Sequence, residues 1–398
     1  MANRRKKGSL SAYLLTYDMN LVVAVIFLIV FGLIMIYSAS YYTASMSATF
    51  NNDPTYLLKN QLTYSVVGIV GMIVIANVPY RWWKKLAWPA IGLAIVLILL
   101  LKTPLGVTVK GATRWIRLPG LGQFQVAEPV KVAMIVFCAA LISKYGSKMK
   151  TMKDFGQLMI PGLVLFVMIW KISNNMSTAL ILLGINFIMA FVVHPKYAPF
   201  VALAGAGVVG VIGIIYYTMH FADADSGFRL ARVQAWLDPY SFESDTAYQS
   251  LQGLYAIGSG GLMGKGLGNS IQKLGKIPEP YNDMIFSIIC EELGIFGAGL
   301  VILLFIYLLY RLYSITQTAD DLFGRLLSIG VFAHVALQVV LNLMVVTGMF
   351  PTTGVTLPFF SYGGTATVFL LVEIGMVLNV EKQSRLKRER EMREERMA

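Results

Sequence analysis

Residues 258–294 read GSGGLMGKGLGNSIQKLGKIPEPYNDMIFSIICEELG, with seven glycines between Gly258 and Gly275, a Pro278-Glu279-Pro280 turn and then Asp283. Glycine lets backbone amides approach a ligand closely. The two prolines fix the turn that delivers Asp283 to a helix start. The apolar run that follows is long enough to enter a bilayer. This stretch therefore predicts a carboxylate at the mouth of a membrane helix, a placement suited to catalysis.

The rest of the chain agrees with a membrane setting. Of 398 residues, 57% are hydrophobic and 14% charged. Runs of about 20 apolar residues, enough to cross the hydrocarbon core, recur at 20–41, 60–79, 86–101, 125–143, 155–172, 176–193, 198–217, 284–310, 326–348 and 360–380. The expected fold is an all-α polytopic membrane protein of ten transmembrane helices, with one large extracellular loop between helices 7 and 8. Residues 1–19 form a basic head, 20–380 the membrane domain with its loop at 218–283, and 381–398 a charged tail that is solvated or partly helical. The first span follows a basic head and is too long for a signal-peptide core, so it reads as an uncleaved anchor. Placing both termini in the cytoplasm puts 21 of the 33 Lys and Arg residues inside, as the positive-inside rule requires.

The net charge of +12 thus reflects topology. Basic residues spread over many loops, with no single patch interleaved with aromatics, do not suggest nucleic acid. Cys138 and Cys290 fall inside spans, which excludes a disulfide framework. His194, His220 and His334 show no metal-ligand spacing and read as interfacial or packed residues.

Several polar groups stand out. In KGATRWIRLPGLGQFQVAEPVK (110–131), Arg114 and Arg117 flank Trp115 and Ile116. This predicts a short interfacial segment whose guanidinium groups are open to phosphate or to lipid headgroups. Glu128 and Lys131, three apart, share a helix face and can pair; charges in a span mark a cavity, a substrate path or a structural ion pair. Arg229, Arg232 and Trp236 have the spacing of an amphipathic helix that Asp238-Pro239 ends. The glycine-rich piece fails the nucleotide P-loop pattern, since Ser259 opens the register and Gly266 closes it. Its amides, with Lys265, Lys273 and Lys276, could still cradle a pyrophosphate. Glu291 and Glu292, about 12–14 Å deeper along the helix, need a proton or a basic partner. Ser361 lies in a glycine-rich break, SYGG, that membrane depth tolerates where backbone lines a cavity.

The order RWI at 114–116, Glu128 with Lys131, Arg229 to Pro239, IGSGGLMGKGLGN at 257–269, PEPYNDMIF at 278–286, EELG at 291–294 and PFFSYGG at 358–364 resembles the SEDS family (FtsW, RodA, SpoVE), most of all its division branch, FtsW. The resemblance covers nearly the whole chain. It implies a ten-span peptidoglycan glycosyltransferase of the bacterial cytoplasmic membrane that polymerises lipid II and works with a class B penicillin-binding protein. Asp283 matches the family's essential outer-loop aspartate, and Glu128 with Lys131 a pair in its central cavity. Two departures are Gln125-Val126-Ala127-Glu128 in place of Gln-Pro-Ser-Glu, and Asn174-Asn175-Met176-Ser177 in place of an Asp-Leu-Gly run. The second sets this chain apart from the family at the carboxylate that opens span six.

In the implied reaction a sugar hydroxyl attacks an anomeric carbon while a lipid pyrophosphate leaves. Asp283 is the candidate base, or a ligand for a divalent cation (magnesium or manganese) against the pyrophosphate. Arg114, Arg229, Arg232 and Lys265 are candidates to neutralise the phosphates, with Glu279 and Ser361 as further substrate contacts. Two rivals stay open: a lipid II flippase using the buried charges as a translocation path, and a scaffold that only recruits a transpeptidase.

Overall fold

The computed structural model describes residues 17–109, 111–118, 122–145, 151–221, 228–242 and 247–397. Among the described residues twelve α-helices follow in chain order: α1 Met19–Met46, α2 Tyr56–Asn77, α3 Arg81–Leu100, α4 Ala127–Tyr145, α5 Met152–Ile172, α6 Met176–Val193, α7 Ala198–Phe221, α8 Phe228–Leu237, α9 Tyr248–Gly260, α10 Ile285–Thr318, α11 Leu322–Val346 and α12 Gly364–Glu395. Among the described residues, nine of these (α1–α3, α5–α7 and α10–α12) are long and apolar enough to cross a membrane. The run expected at 125–143 is α4, a 19-residue helix that carries Glu128, Lys131 and Lys144.

Helix α1 shows the inverted logic of a membrane domain. Leu21, Val25, Leu28, Met35 and Ala39 are buried on one face, while Val23, Phe27, Val30 and Ile34 are exposed on another. Both stripes are apolar because lipid, unlike water, does not penalise an exposed Val or Phe. The short run expected at 86–101 is a full helix, since Trp82, Trp83, Lys84 and Lys85 form its first turn rather than a flanking loop. Helix α12 runs on through Glu395, so the charged tail is helical where it is described.

Among the nine candidate spans, α11 and α12 have the most buried apolar stretches, and α4 is buried along most of its length. Around α11 pack α4, α6, α10 and α12, and α12 lies along α2. Where α12 begins, the turn 357–363 presses on α1: a Cβ on Gly32 would lie 2.2 Å from the Phe359 carbonyl oxygen. Gln61 on α2 ties the same corner, accepting from the Gly363 amide at 3.2 Å and donating to Thr367 Oγ1 at 2.8 Å.

Two features differ from the sequence reading. The first is a three-stranded antiparallel sheet, β1 Gly106–Val109, β2 Ala112–Leu118 and β3 Gly122–Gln125, where an interfacial segment was expected. In register Ile116 faces Phe124 and Trp115 faces Gln125. The second is a break inside α10 at Gly294, whose φ of 65° is non-helical. The turn 261–266 docks there: Lys265 and Gly266 amides donate to the Glu291 and Glu292 carbonyls at 2.9 Å each, and the Ile295 amide to Gly261 at 3.0 Å. Helix carbonyls and amides freed by the break thus find partners in the glycine-rich loop.

Gly264 has φ +76°, and a Cβ there would lie 2.2 Å from the Glu292 carbonyl oxygen; Gly268 has φ +84° and open space around it. Gly264→Ala should therefore lose roughly 2–4 kcal/mol from strain plus backbone displacement, and Gly268→Ala only about 1–2 kcal/mol from strain. Thermal unfolding in detergent checks the order; equal midpoints for the two variants would contradict the docking.

Candidate functional site

Strand alternation explains which arginine of the RWIR stretch turns inward. Residues 114 and 116 share one face of β2 and 115 and 117 the other. Ile116 is buried, Arg114 half-buried and Arg117 exposed. Where the sequence predicted a guanidinium free in the interface, Arg114 is half-buried and within range of the Asp283 charge. Burial holds it below its ordinary pKa, and the Asp283 carboxylate pulls it partly back. Arg232, on α8, feels burial first, then repulsion from Arg114 and attraction from Asp283. A strand and a loop helix more than a hundred residues apart thus set two guanidiniums within the field of one carboxylate.

Helix α8 forms where the Arg-Arg-Trp spacing placed it, and it ends before Asp238-Pro239. Arg232 Nη1 donates to the Thr352 carbonyl at 3.0 Å and Trp236 Nε1 to the Gly348 carbonyl at 2.8 Å. These bonds seat α8 on the charge-free turn 347–359. Arg229 belongs to the same helix, but its side chain lies outside the described residues.

Asp283 is held from several sides. Gln249 Nε2 of α9 donates to its Oδ1 at 3.1 Å. Asn342 Nδ2 of α11 donates to its carbonyl and to that of Val355, both at 2.8 Å. Ser361 Oγ donates to the Asn282 carbonyl at 2.7 Å and accepts from the Leu357 amide at 2.7 Å. The Tyr362 amide donates to the Tyr281 carbonyl at 2.8 Å. Glu279, at φ +50°, accepts from Asn282 Nδ2 at 2.8 Å and braces the turn. A Cβ on Gly354 would lie 3.8 Å from Asp283 Oδ2, so the turn 347–359 passes over the carboxylate. Ser361 and Glu279, read from sequence as substrate contacts, here both hold Asn282, the residue before Asp283, Ser361 by its carbonyl and Glu279 by its side chain.

The other candidates lie in buried ion pairs. Lys131 and Glu128 are 3.0 Å apart, both almost wholly buried. Glu128 lines a cavity of about 20 Å³ together with His334, Gln338, Thr356 and Ser361. Beside it, α3, α4 and α12 enclose an apolar groove of about 310 Å³ lined by Leu86, Leu93, Leu97, Val132, Val136 and Phe369.

The partners that Glu291 and Glu292 require are Lys265 Nζ at 2.7 Å and Lys273 Nζ at 2.6 Å. Glu291 also accepts from Ser270 Oγ and from the Ile271 and Gln272 amides at 3.1 and 3.2 Å. Glu292 accepts from Ser38 Oγ on α1 at 2.7 Å. The glycine-rich loop is therefore a nest, but the anions in it are the protein's own carboxylates, and Lys265 is already committed to one of them.

Sequence reasoning missed Gln249, Asn342 and Gln338. A signal existed for two of them: His334, Gln338 and Asn342 recur every four residues along one face of an otherwise apolar helix. For a metal, no three His, Cys, Asp or Glu side chains converge among the described residues. Arg114 and Arg232 both feel the Asp283 charge. A magnesium or manganese ion at this site would be held by the Asp283 carboxylate together with substrate phosphates rather than by a cage of protein ligands.

Comparison with known proteins agrees with this architecture. The family model for FtsW, RodA and SpoVE, described as cell cycle protein, matches residues 19–386. The chain belongs to this family. A probable peptidoglycan glycosyltransferase FtsW of Trichlorobacter lovleyi is 37% identical over 366 residues, 92% of this chain and 93% of the relative. Stage V sporulation protein E of Bacillus subtilis is 36% identical over 376 residues, 92% and 98% of the two chains. A chain in a structure reported as "Structural coordination of polymerization and crosslinking by a peptidoglycan synthase complex" superposes with a TM-score of 0.76 at 25% identity, covering 92% of this chain and 98% of that one. The rod shape-determining protein RodA of Thermus thermophilus shares the fold, with a TM-score of 0.64 at 24% identity.

Lys273 and Glu292 are both buried, so Lys273→Met strands an ionised acid at a cost of about 3–5 kcal/mol. The double variant Lys273→Met/Glu292→Gln should recover most of that stability. Unfolding midpoints in detergent measure both, and a fully stable single variant would contradict the pairing.

Proposed function

We propose that the chain is a peptidoglycan glycosyltransferase that polymerises lipid II at the outer face of the bacterial cytoplasmic membrane. The observation that carries this reading is the convergence of Arg114 and Arg232, from two distant segments, on the backbone-clamped Asp283. The names of the relatives agree with it.

In the proposed step, the acceptor hydroxyl forms a bond to the donor's anomeric carbon as the bond from that carbon to the pyrophosphate oxygen breaks. Asp283 takes the hydroxyl proton, which requires a carboxylate within hydrogen-bond reach, about 2.6–3.2 Å. Arg114 and Arg232 offset the charge that builds on the leaving pyrophosphate, a role for which planar, permanently charged guanidinium is suited. Arg229, on the same helix as Arg232, is the next candidate. Glu279 and Ser361 hold the turn that presents Asp283, and the Glu128–Lys131 pair lies behind it at the cavity. The apolar groove between α3, α4 and α12 would take the isoprenoid chain of one lipid. No step is routed through a metal.

In the same proposal α4 completes ten crossings, both termini are cytoplasmic, and residues 218–283 lie outside. The partner is a class B penicillin-binding protein, by analogy with the peptidoglycan synthase complex whose chain this one superposes on. A flippase would need charges that exchange partners during transport. The charges of Glu128, Glu291 and Glu292 instead sit in close, mutually neutralised pairs.

Asp283→Asn should cut glycan polymerisation from lipid II by at least about a hundredfold, with expression and membrane insertion intact. Arg114→Lys, which keeps the charge but loses the fork, should cost less. Gel separation of labelled glycan strands made by the purified complex checks both. Near-normal polymer from Asp283→Asn, or lipid II scrambling in vesicles by a wild-type chain that makes no polymer, would overturn the reading.

A further inference from the structure

Four polar side chains form a continuous line through the buried centre of the bundle. Lys131 Nζ of α4 donates to Gln338 Oε1 at 3.3 Å, and His334 Nε2 lies 2.9 Å from the same oxygen. His334 Nδ1 lies 2.7 Å from Glu373 Oε2 of α12. Gln338 Nε2 donates to the Thr356 carbonyl at 3.1 Å and to its Oγ1 at 3.2 Å. His334 and Glu373 are each about 2% exposed or less.

Donor and acceptor chemistry fixes the protons along this line. A backbone carbonyl only accepts and an ammonium only donates. The Thr356 carbonyl therefore demands the Gln338 amide nitrogen, and Lys131 demands its oxygen. With Gln338 so oriented, His334 must present Nε2–H. One further proton then lies between Nδ1 and Glu373 Oε2, since a bare nitrogen facing a bare carboxylate at that distance would repel. Whichever of the two atoms carries that proton, the pair has no net charge, as a buried site requires.

We propose that His334 is a positioning residue for polymerisation. Held by Glu373 and carrying Nε2–H, it locks the Gln338 side chain so that one amide fixes both Lys131 and the Thr356 turn. That turn continues through Leu357 to Ser361, which bonds the backbone next to Asp283. His334, Gln338, Thr356 and Ser361 line one cavity with Glu128, so the line runs from the buried ion pair to the proposed catalytic carboxylate. His334 acts through Gln338 and does not touch the reacting atoms. The inference rests on the glycosyltransferase reading for its activity arm, and on hydrogen-bond geometry alone for its spectroscopic arm.

The test combines a double-substitution cycle, a rescue and a resonance measurement. His334→Leu and Gln338→Leu should each lower kcat for lipid II polymerisation about tenfold or more with KM changed less than threefold, and the double variant should be no slower than Gln338→Leu alone. Glu373→Gln, whose amide can donate to Nδ1, should stay within about threefold of wild type, while Glu373→Leu should fall with His334→Leu. In the full chain labelled with 15N-histidine, the resonance that vanishes in His334→Gln should show a protonated Nε2. Additive losses in the double variant, a normal His334→Leu enzyme, a dead Glu373→Gln enzyme or an unprotonated Nε2 would each overturn the proposal. A protonated Nε2 in a wild-type chain that makes no polymer would instead sink the glycosyltransferase reading, because the geometry would stand without the reaction.

Discussion

A charge taken out of water must be given a partner, and in an apolar bundle that requirement decides where the loops go. Glu291 and Glu292 draw the glycine-rich loop onto the broken helix through Lys265, Lys273, Ser270 and two backbone amides. Glu128 is answered by Lys131 on its own helix, and Glu373 by His334 on the neighbouring one. Asp283 differs in where its cations come from. They arrive from a small sheet and a loop helix, outside the long helices, and they leave a carboxylate flanked by groups able to bind phosphate.

The same requirement separates scaffold from chemistry. Apart from Glu128–Lys131, which closes within α4, the pairs are short and tie two segments of chain: α10 to the 258–276 loop, and α11 to α12. Around Asp283 the backbone itself is gripped as well. Asn342, Ser361 and the Tyr362 amide all grip carbonyls at 281–283. Fixing the backbone holds the acid in place independently of its side-chain contacts, and preorganisation of this kind lets a charged group act on a substrate without first reorganising.

The long apolar runs made the membrane class and most helix positions legible, because hydrocarbon tolerates apolar side chains on every face and demands length. The turn before Asp283 and the helix at Arg232 were legible too, through proline and the three- and four-residue spacing of Arg and Trp. The sheet at 106–125 was not: strands of four and seven residues carry little signal until they pair. Nor was the use of the glycine-rich loop, since a nest of amides looks alike whether it receives a phosphate or a glutamate 20 residues downstream. The line from Lys131 to Glu373 depends on three helices meeting, which no local pattern encodes, though polar residues every fourth position in an apolar helix were its visible trace.

The central claim is that the Asp283 carboxylate and the guanidiniums of Arg114 and Arg232 enclose the reacting end of an isoprenoid-linked saccharide. The most direct measurement is an electron cryomicroscopy map of the chain with the proposed transpeptidase partner and a non-transferable undecaprenyl-pyrophosphate saccharide. The account predicts phosphate oxygens within about 3.5 Å of both guanidiniums and a sugar hydroxyl within hydrogen-bond reach of Asp283. A headgroup seated instead on Lys265 and Lys276 of the glycine-rich loop, or at the opposite membrane face, would contradict it.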